Sequence, residues 1–177
     1  MIIGLSGTIG SGKDTVAEYL IKKGFQHISL SDLIREEAKK RGMGIDRDSL
    51  RGLGNILKEE IGGDALARMA IKRKKGENLV ISSIRKPEEV DYLKTLSDFK
   101  LLFVDAPIEI RFNRMQKRGR KDESKMTILE LKAKEELEMS GKSSQRLDYC
   151  RAKADVSIDN AKDLNYLFDQ INNIIGE

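Results

Sequence analysis

The chain has 177 residues, enough for one domain with a substantial core and too few for two. Charged residues make up 35% of it and apolar ones 39%, with no tryptophan, a balance that excludes a disordered chain and a membrane-embedded one. The net charge of +4 stands against 33 basic and 29 acidic side chains, so most charges can cancel locally; a broad nucleic-acid footprint is not expected, while a local anion site is allowed.

The first predicted strand is the apolar run Ile2 to Ser6. It is not preceded by a signal-peptide pattern, and no run in the chain reaches membrane-spanning length, so the expected place is the cytoplasm with no membrane partner. Directly after it comes Gly7-Thr8-Ile9-Gly10-Ser11-Gly12-Lys13-Asp14-Thr15, followed by a helical pattern carrying Val16, Leu20 and Ile21. Strand, glycine loop and helix form the context a nucleotide phosphate loop requires. Phosphates need donors that approach closely; glycines let the backbone curl until successive N–H groups face one concavity at a helix N-terminus, and Lys13 adds a mobile positive charge. Gly7, Gly10, Ser11, Gly12, Lys13, Asp14 and Thr15 are therefore the expected nucleotide contacts. Such loops usually place Ser or Thr after the lysine, with its hydroxyl on magnesium; here Asp14 stands there and the hydroxyl comes at Thr15. The aspartate can contact Mg²⁺ directly or through water, or turn away as a helix N-terminal charge; Asp14 and Thr15 jointly are the expected metal contacts.

A second strand is predicted from about His27 to Leu30, with the lone histidine read as structural, and then three successive helices from Asp32 to Lys74, where Leu50, Leu53, Leu57 and Ile61 recur at helical spacing. The third strand is Leu79 to Ser82, followed by a helix from Pro87 to about Leu96. The fourth is Leu101 to Asp105; Asp105 and Pro107 fit a strand end and a helix start, and Ile108, Phe112 and Met115 mark the helix. Arg118 to Lys125 is nearly all charge, and Thr127 with Glu130 forms a capping box that starts a helix to Met139. Cys150 reads as a small packed hydrophobe. A fifth strand, Val156 to Ile158, precedes an amphipathic helix with Leu164, Leu167, Phe168, Ile171, Ile174 and Ile175. Strands alternating with helices predict an α/β fold with a five-stranded parallel sheet in a single domain, 1–177, with a helical insertion over 32–74 and a short lid over 118–126.

Beyond the phosphate loop, three segments carry a resemblance: Ser31-Asp32-Leu33-Ile34-Arg35, Leu79-Val80-Ile81-Ser82-Ser83-Ile84-Arg85, and Val104-Asp105-Ala106-Pro107 with Arg111, Arg114 and Arg118 downstream. Together they resemble the nucleoside monophosphate kinase group of P-loop proteins, which includes adenylate kinase, thymidylate kinase and dephospho-coenzyme A kinase. The whole-chain order is most similar to archaeal and bacterial kinase-like ATPases of that group. The resemblance implies the three-layer P-loop kinase fold, with residues 32–74 binding the acceptor. It implies that Arg35 and Arg85 hold the acceptor's phosphate and that Arg114 and Arg118 act over the polyphosphate beside Lys13. Asp32, at a helix start, reads either as an ordinary cap or as a group that orients or deprotonates the acceptor, and it is kept with the site. Arg114 and Arg118 are four apart and share a helix face. Ser82 and Ser83 stand where the group has Asp-Gly, whose aspartate ordinarily helps order magnesium waters. The implied cofactors are ATP and Mg²⁺, and the implied partner is a small phosphorylated acceptor, first a nucleoside or deoxynucleoside monophosphate and second dephospho-coenzyme A. A reading of another class stays open: a nucleotide-dependent binding module in which slow hydrolysis switches shape.

Overall fold

Alternate side chains of each central strand go to opposite faces of the sheet, and in this chain both sets are apolar. In the computed structural model, which describes residues 1–119, 126–140 and 145–176, the strands are β1 (Ile2–Gly7), β2 (Gln26–Ser29), β3 (Leu79–Ser82), β4 (Phe99–Asp105) and β5 (Val156–Asp159). They form one parallel sheet in the order β2-β3-β1-β4-β5. The helices among the described residues are α1 (Lys13–Lys22), α2 (Leu30–Lys40), α3 (Arg47–Glu60), α4 (Ala65–Lys72), α5 (Pro87–Lys94), α6 (Ile108–Arg118), α7 (Ile128–Met139), α8 (Leu147–Ala152) and α9 (Leu164–Ile175).

The strand alternation divides the core in two. On one face Ile2, Leu79, Ile81, Leu101 and Phe103 pack against Leu30 and Leu33 of α2, Ala67 and Ala70 of α4, Val90 and Leu93 of α5, and Cys150 of α8. On the other, Ile3, Leu5, Val80, Leu102 and Val104 pack against Val16 and Leu20 of α1 and Leu167 and Ile171 of α9. Helices, sheet and helices make three layers. A smaller cluster of Ala38, Leu53, Leu57 and Ala65 joins α2, α3 and α4 to one another on the side of the edge strand β2.

Local chemistry sets the boundaries. β2 stops at Ser29, one residue short of its predicted end, because the Ser29 hydroxyl accepts the Asp32 N–H at 3.3 Å and caps α2, making Leu30 helical. Asp32 therefore lies inside the first turn. β4 starts at Phe99 and β5 runs on to Asp159, each longer than predicted. Thr127 and Glu130 form the expected capping box: the Thr127 hydroxyl accepts the Glu130 N–H at 3.2 Å and the Glu130 carboxylate accepts the Thr127 N–H at 2.7 Å. Cys150 is buried, and burial pushes its thiol pKa up to about 11. Of the predicted lid, residues 120–125 lie outside the described residues. No helix among the described residues is long and apolar enough to cross a membrane.

Candidate nucleotide and acceptor site

All five strands point the same way, so the loops leaving their carboxyl ends converge on one edge of the sheet, where open α/β folds bind ligands. β1 delivers the chain there through Gly7, Gly10 and Gly12, with φ of 143°, 76° and 93°. Side chains would not fit: a Cβ on Gly7 would lie 2.0 Å from the Val104 carbonyl oxygen, and one on Gly12 would lie 2.2 Å from Asn160 Nδ2. Gly12 then caps α1, whose first-turn N–H groups open toward the loop's hollow. Lys13 Nζ donates to the carbonyls of Gly7 at 2.8 Å and Thr8 at 2.6 Å and to Ser11 Oγ at 3.3 Å. Burial first, and then the charge of Arg85, lower its pKa to about 8, against the pull of Asp14 and Glu138. A phosphate beside Nζ would favour the ammonium form and oppose that shift.

The loop is braced from three directions. Thr8 Oγ1 donates to Asp105 Oδ1 at 2.7 Å, and the Asn160 amide donates to the Ser11 carbonyl at 2.7 Å. Arg111 Nη1 donates to the Ile9 carbonyl at 3.1 Å, Nε to the Ala106 carbonyl at 2.7 Å, and Nη2 pairs with Glu135 at 2.7 Å. At 3% exposure and with these partners, Arg111 is a clamp on the loop rather than a hand for ligand. Asp105, read from sequence as structural, accepts from Thr8 and the Ala106 N–H and pairs with Arg151. Asn160 ends a segment, Ala154 to Asn160, whose sequence points to no chemistry, since a single amide just past β5 belongs to no local motif.

A cleft lies on each side of the loop. One, of about 460 Å³, is bounded by Gly10, Gly12, Lys13, Asp14, Thr15, Arg114 and Arg118 among others, so the two arginines do share a face of α6 against the phosphate loop. Arg114 Nη1 is buried and has no hydrogen-bond partner among the described residues. A buried charged donor in that condition fits an anionic ligand. Arg118 Nη1 stands 3.8 Å from an Asp14 carboxylate oxygen. Asp14 and Thr15 offer adjacent hard oxygens on the wall, the donors Mg²⁺ prefers; the ion's further ligands would be phosphate oxygens and water, because among the described residues no group of three or more His, Cys, Asp or Glu could hold a metal.

The other cleft, of about 440 Å³, gathers Lys13, Asp32, Arg35, Arg85 and Arg118, along with His27, Ser31, Ser82, Ser83, Lys134 and Glu138. Asp32 and Arg35 pair at 3.0 Å with 67% and 47% of their side chains exposed, as groups free to re-pair with a ligand would be. The loop carrying Arg85 is fixed through its backbone: buried Glu89 accepts the Arg85 and Lys86 N–H groups at 2.9 and 3.1 Å, and the Arg85 carbonyl accepts the Arg146 N–H at 2.9 Å. Burial nonetheless holds the Glu89 carboxyl above its ordinary pKa. Ser83 is the one non-glycine residue with positive φ, 66°, among the described residues, and its hydroxyl accepts from Ser31 Oγ at 2.7 Å. His27, expected to be merely structural, borders this cleft; its Nε2 lies 2.8 Å from Ser82 Oγ, and burial holds its pKa below the ordinary value. Lys134 and buried Glu138, on α7, are invisible to sequence reasoning because nothing distinguishes them from the other charges of that helix.

Comparison with known proteins bears on the family and the fold. Residues 3–143 match the family model described as AAA domain. A UPF0200 protein of Pyrococcus abyssi is 37% identical over 133 residues, 71% of either chain, and one of Methanocaldococcus jannaschii is 29% identical over 182 aligned positions that cover 100% of this chain and 90% of its own. Among solved structures, shikimate kinase of Bacteroides thetaiotaomicron superposes with a TM-score of 0.65 at 16% identity, covering 100% of this chain and 99% of its own. Shikimate kinase of Aquifex aeolicus does so at 0.54 and 20%, covering 99% and 96%. The likeness to these kinases is one of fold. By sequence the chain matches the AAA domain family and belongs with the UPF0200 proteins, and it has the fold of a P-loop kinase.

Proposed function

We propose that the protein is an ATP-dependent phosphotransferase that moves the γ-phosphate of ATP to a small phosphorylated acceptor, a nucleoside or deoxynucleoside monophosphate. The observation that carries this reading is the placement of Lys13 between two clefts, one walled by Arg114 and the other by Arg35 and Arg85, with Arg118 bordering both. Phosphoryl transfer asks a protein for in-line placement and charge neutralisation more than for covalent chemistry, and cationic groups on both sides of one lysine meet that demand. The loop and Arg114 bind the donor polyphosphate, Arg35 and Arg85 the acceptor phosphate, and Lys13 and Arg118 offset charge between them. Asp32, held beside Arg35, orients the acceptor group or receives its proton. Mg²⁺, when bound to Asp14, Thr15 and the phosphates, supplies further charge neutralisation.

Dephospho-coenzyme A is the alternative acceptor. Ser82-Ser83 at the end of β3 and Asp14 after the lysine favour a second reading, a protein whose shape is switched by nucleotide with only slow hydrolysis. The test is Mg²⁺-dependent ADP formation from ATP with ribo- and deoxynucleoside monophosphates and dephospho-coenzyme A, with Lys13→Ala as the blank. A phosphorylated acceptor appearing at many times the blank rate supports the kinase and names its substrate. A slow background indifferent to every acceptor rejects it in favour of the switch.

A further inference from the structure

The acceptor cleft does not end at Asp32. A second groove, of about 560 Å³, shares His27, Ser29 and Asp32 with it and continues along the free edge of β2 to the end of α4 and the residues after it, Lys72-Arg73-Lys74-Lys75. That segment is built into place. Gln26 of β2 donates from Nε2 to the Arg73 carbonyl at 3.0 Å and accepts the Lys75 N–H at 2.7 Å, and Arg73 pairs with Glu36 of α2 at 2.6 Å. The groove's two carboxylates are both engaged, Glu36 by Arg73 and Asp32 by Arg35. None of the ion pairs among the described residues engages Lys72, Lys74 or Lys75. Three lysines on one pinned segment thus face a groove whose acids are neutralised, in a chain where most charges could have cancelled.

We infer that this groove is an anion subsite for a second phosphate on the acceptor, so that the substrate class is a molecule with two phosphate groups, one over Arg35 and Arg85 and the other over Lys72, Lys74 and Lys75. The inference rests on the acceptor cleft of the proposed function and revises the acceptor named there: within the small phosphorylated acceptors, a nucleotide extended by a phosphodiester or a diphosphate ester fits better than a free monophosphate. Phosphate, rather than base, is what this extension recognises. Its lining holds no Phe, Tyr or Trp, and its one aromatic ring, His27, has Nε2 2.8 Å from Ser82 Oγ, so the groove offers no row of stacking platforms for a long single strand read base by base.

The experiment is direct binding without ATP, by calorimetry, of adenosine 5′-monophosphate, the 5′-phosphorylated adenylate dinucleotide, and a 5′-phosphorylated adenylate octanucleotide. Each is measured against the parent chain and against the combined Lys72→Gln, Lys74→Gln, Lys75→Gln variant, with thermal melting as the check that the variant folds. In the parent the dinucleotide binds about tenfold more tightly than the monophosphate, the preference weakens with added salt, and the variant brings the ratio close to one. A ratio near one in the parent, or one the variant leaves intact, overturns the subsite. An affinity that keeps climbing from dinucleotide to octanucleotide overturns it in favour of a nucleic-acid strand. Because ADP formation is not the readout here, failure of the phosphotransferase reading shows in turnover and leaves the binding ratio untouched.

Discussion

Asn160 and Gly12, nearly 150 positions apart, share one small space: the Asn160 amide donates to the Ser11 carbonyl at 2.7 Å and stands 2.2 Å from where a Cβ on Gly12 would be. The last strand's exit thereby fixes the curvature of the first strand's exit. Gly12→Ala must displace that amide and also hold an L side chain at φ 93°. It should lower stability by about 2 kcal/mol and weaken ATP binding at least tenfold. Asn160→Ala removes only the donor and should cost about 1 kcal/mol with a smaller loss of affinity. Urea unfolding and ATP titration of both variants check this order; equal effects would mean that Asn160 alone shapes the loop.

The two arginines of α6 nearest the loop should separate cleanly. Arg111 is buried and donates to two carbonyls while pairing with the partly exposed Glu135, so Arg111→Ala leaves those carbonyls without their donor and should destabilise by about 2 kcal/mol. Arg114 has a buried Nη1 with no partner among the described residues. Arg114→Ala should therefore leave stability within about 1 kcal/mol of the parent while lowering turnover about 100-fold. A melting curve and an ADP-release assay on each variant suffice; loss of stability without loss of turnover at Arg114 would assign it to the scaffold.

Lys13 should make nucleotide binding pH-dependent. Its pKa in the folded chain is about 8 and its ordinary value 10.5, so between these the unfolded chain binds more protons than the folded one and stability rises with pH; below about 8 the cost of the buried ammonium is borne in full. A phosphate beside Nζ favours the charged form. ATP binding at about pH 9 should then take up a proton, and affinity should fall as pH rises beyond about 8, by at most about tenfold per unit. Calorimetry in two buffers of different ionisation heat measures the uptake. Lys13→Arg, always charged, should show none, and an uptake that survives in that variant would place the titrating group elsewhere.

The parts of this molecule that are legible in the sequence are those written in short, periodic or capped segments. The apolar run Ile2 to Ser6 before Gly7, the box at Thr127 and Glu130, and the spacing of Arg114 and Arg118 each state their geometry within a few residues. What stays hidden depends on tertiary closure. Asn160 reaches Ser11 only because β5 lies beside β4 in the sheet, and His27 meets Ser82 only because β2 pairs with β3 in register. The six-residue α8 offers too few turns for a period and no side-chain cap, so nothing local marks it. Gln26 hides its role for a similar reason: its partners, Arg73 and Lys75, lie beyond three intervening helices.

Ser83 holds a left-handed backbone that glycine would adopt without steric cost, and it does so on the wall of the acceptor cleft, hydrogen-bonded to Ser31. Strain retained at such a place is accounted for if the side chain serves the ligand. The two effects can be parted by comparing replacements. Ser83→Ala keeps the strain and loses the hydroxyl, while Ser83→Gly loses both, so the glycine variant should be the more stable of the pair by about 1 kcal/mol. Since neither retains the hydroxyl, both should raise the acceptor KM several-fold with little change in the KM for ATP. If the glycine variant gained stability and kept the parent's acceptor KM, the serine would be a tolerated defect, and recognition in the cleft would fall to the charged groups around it, Arg35 and Arg85 among them.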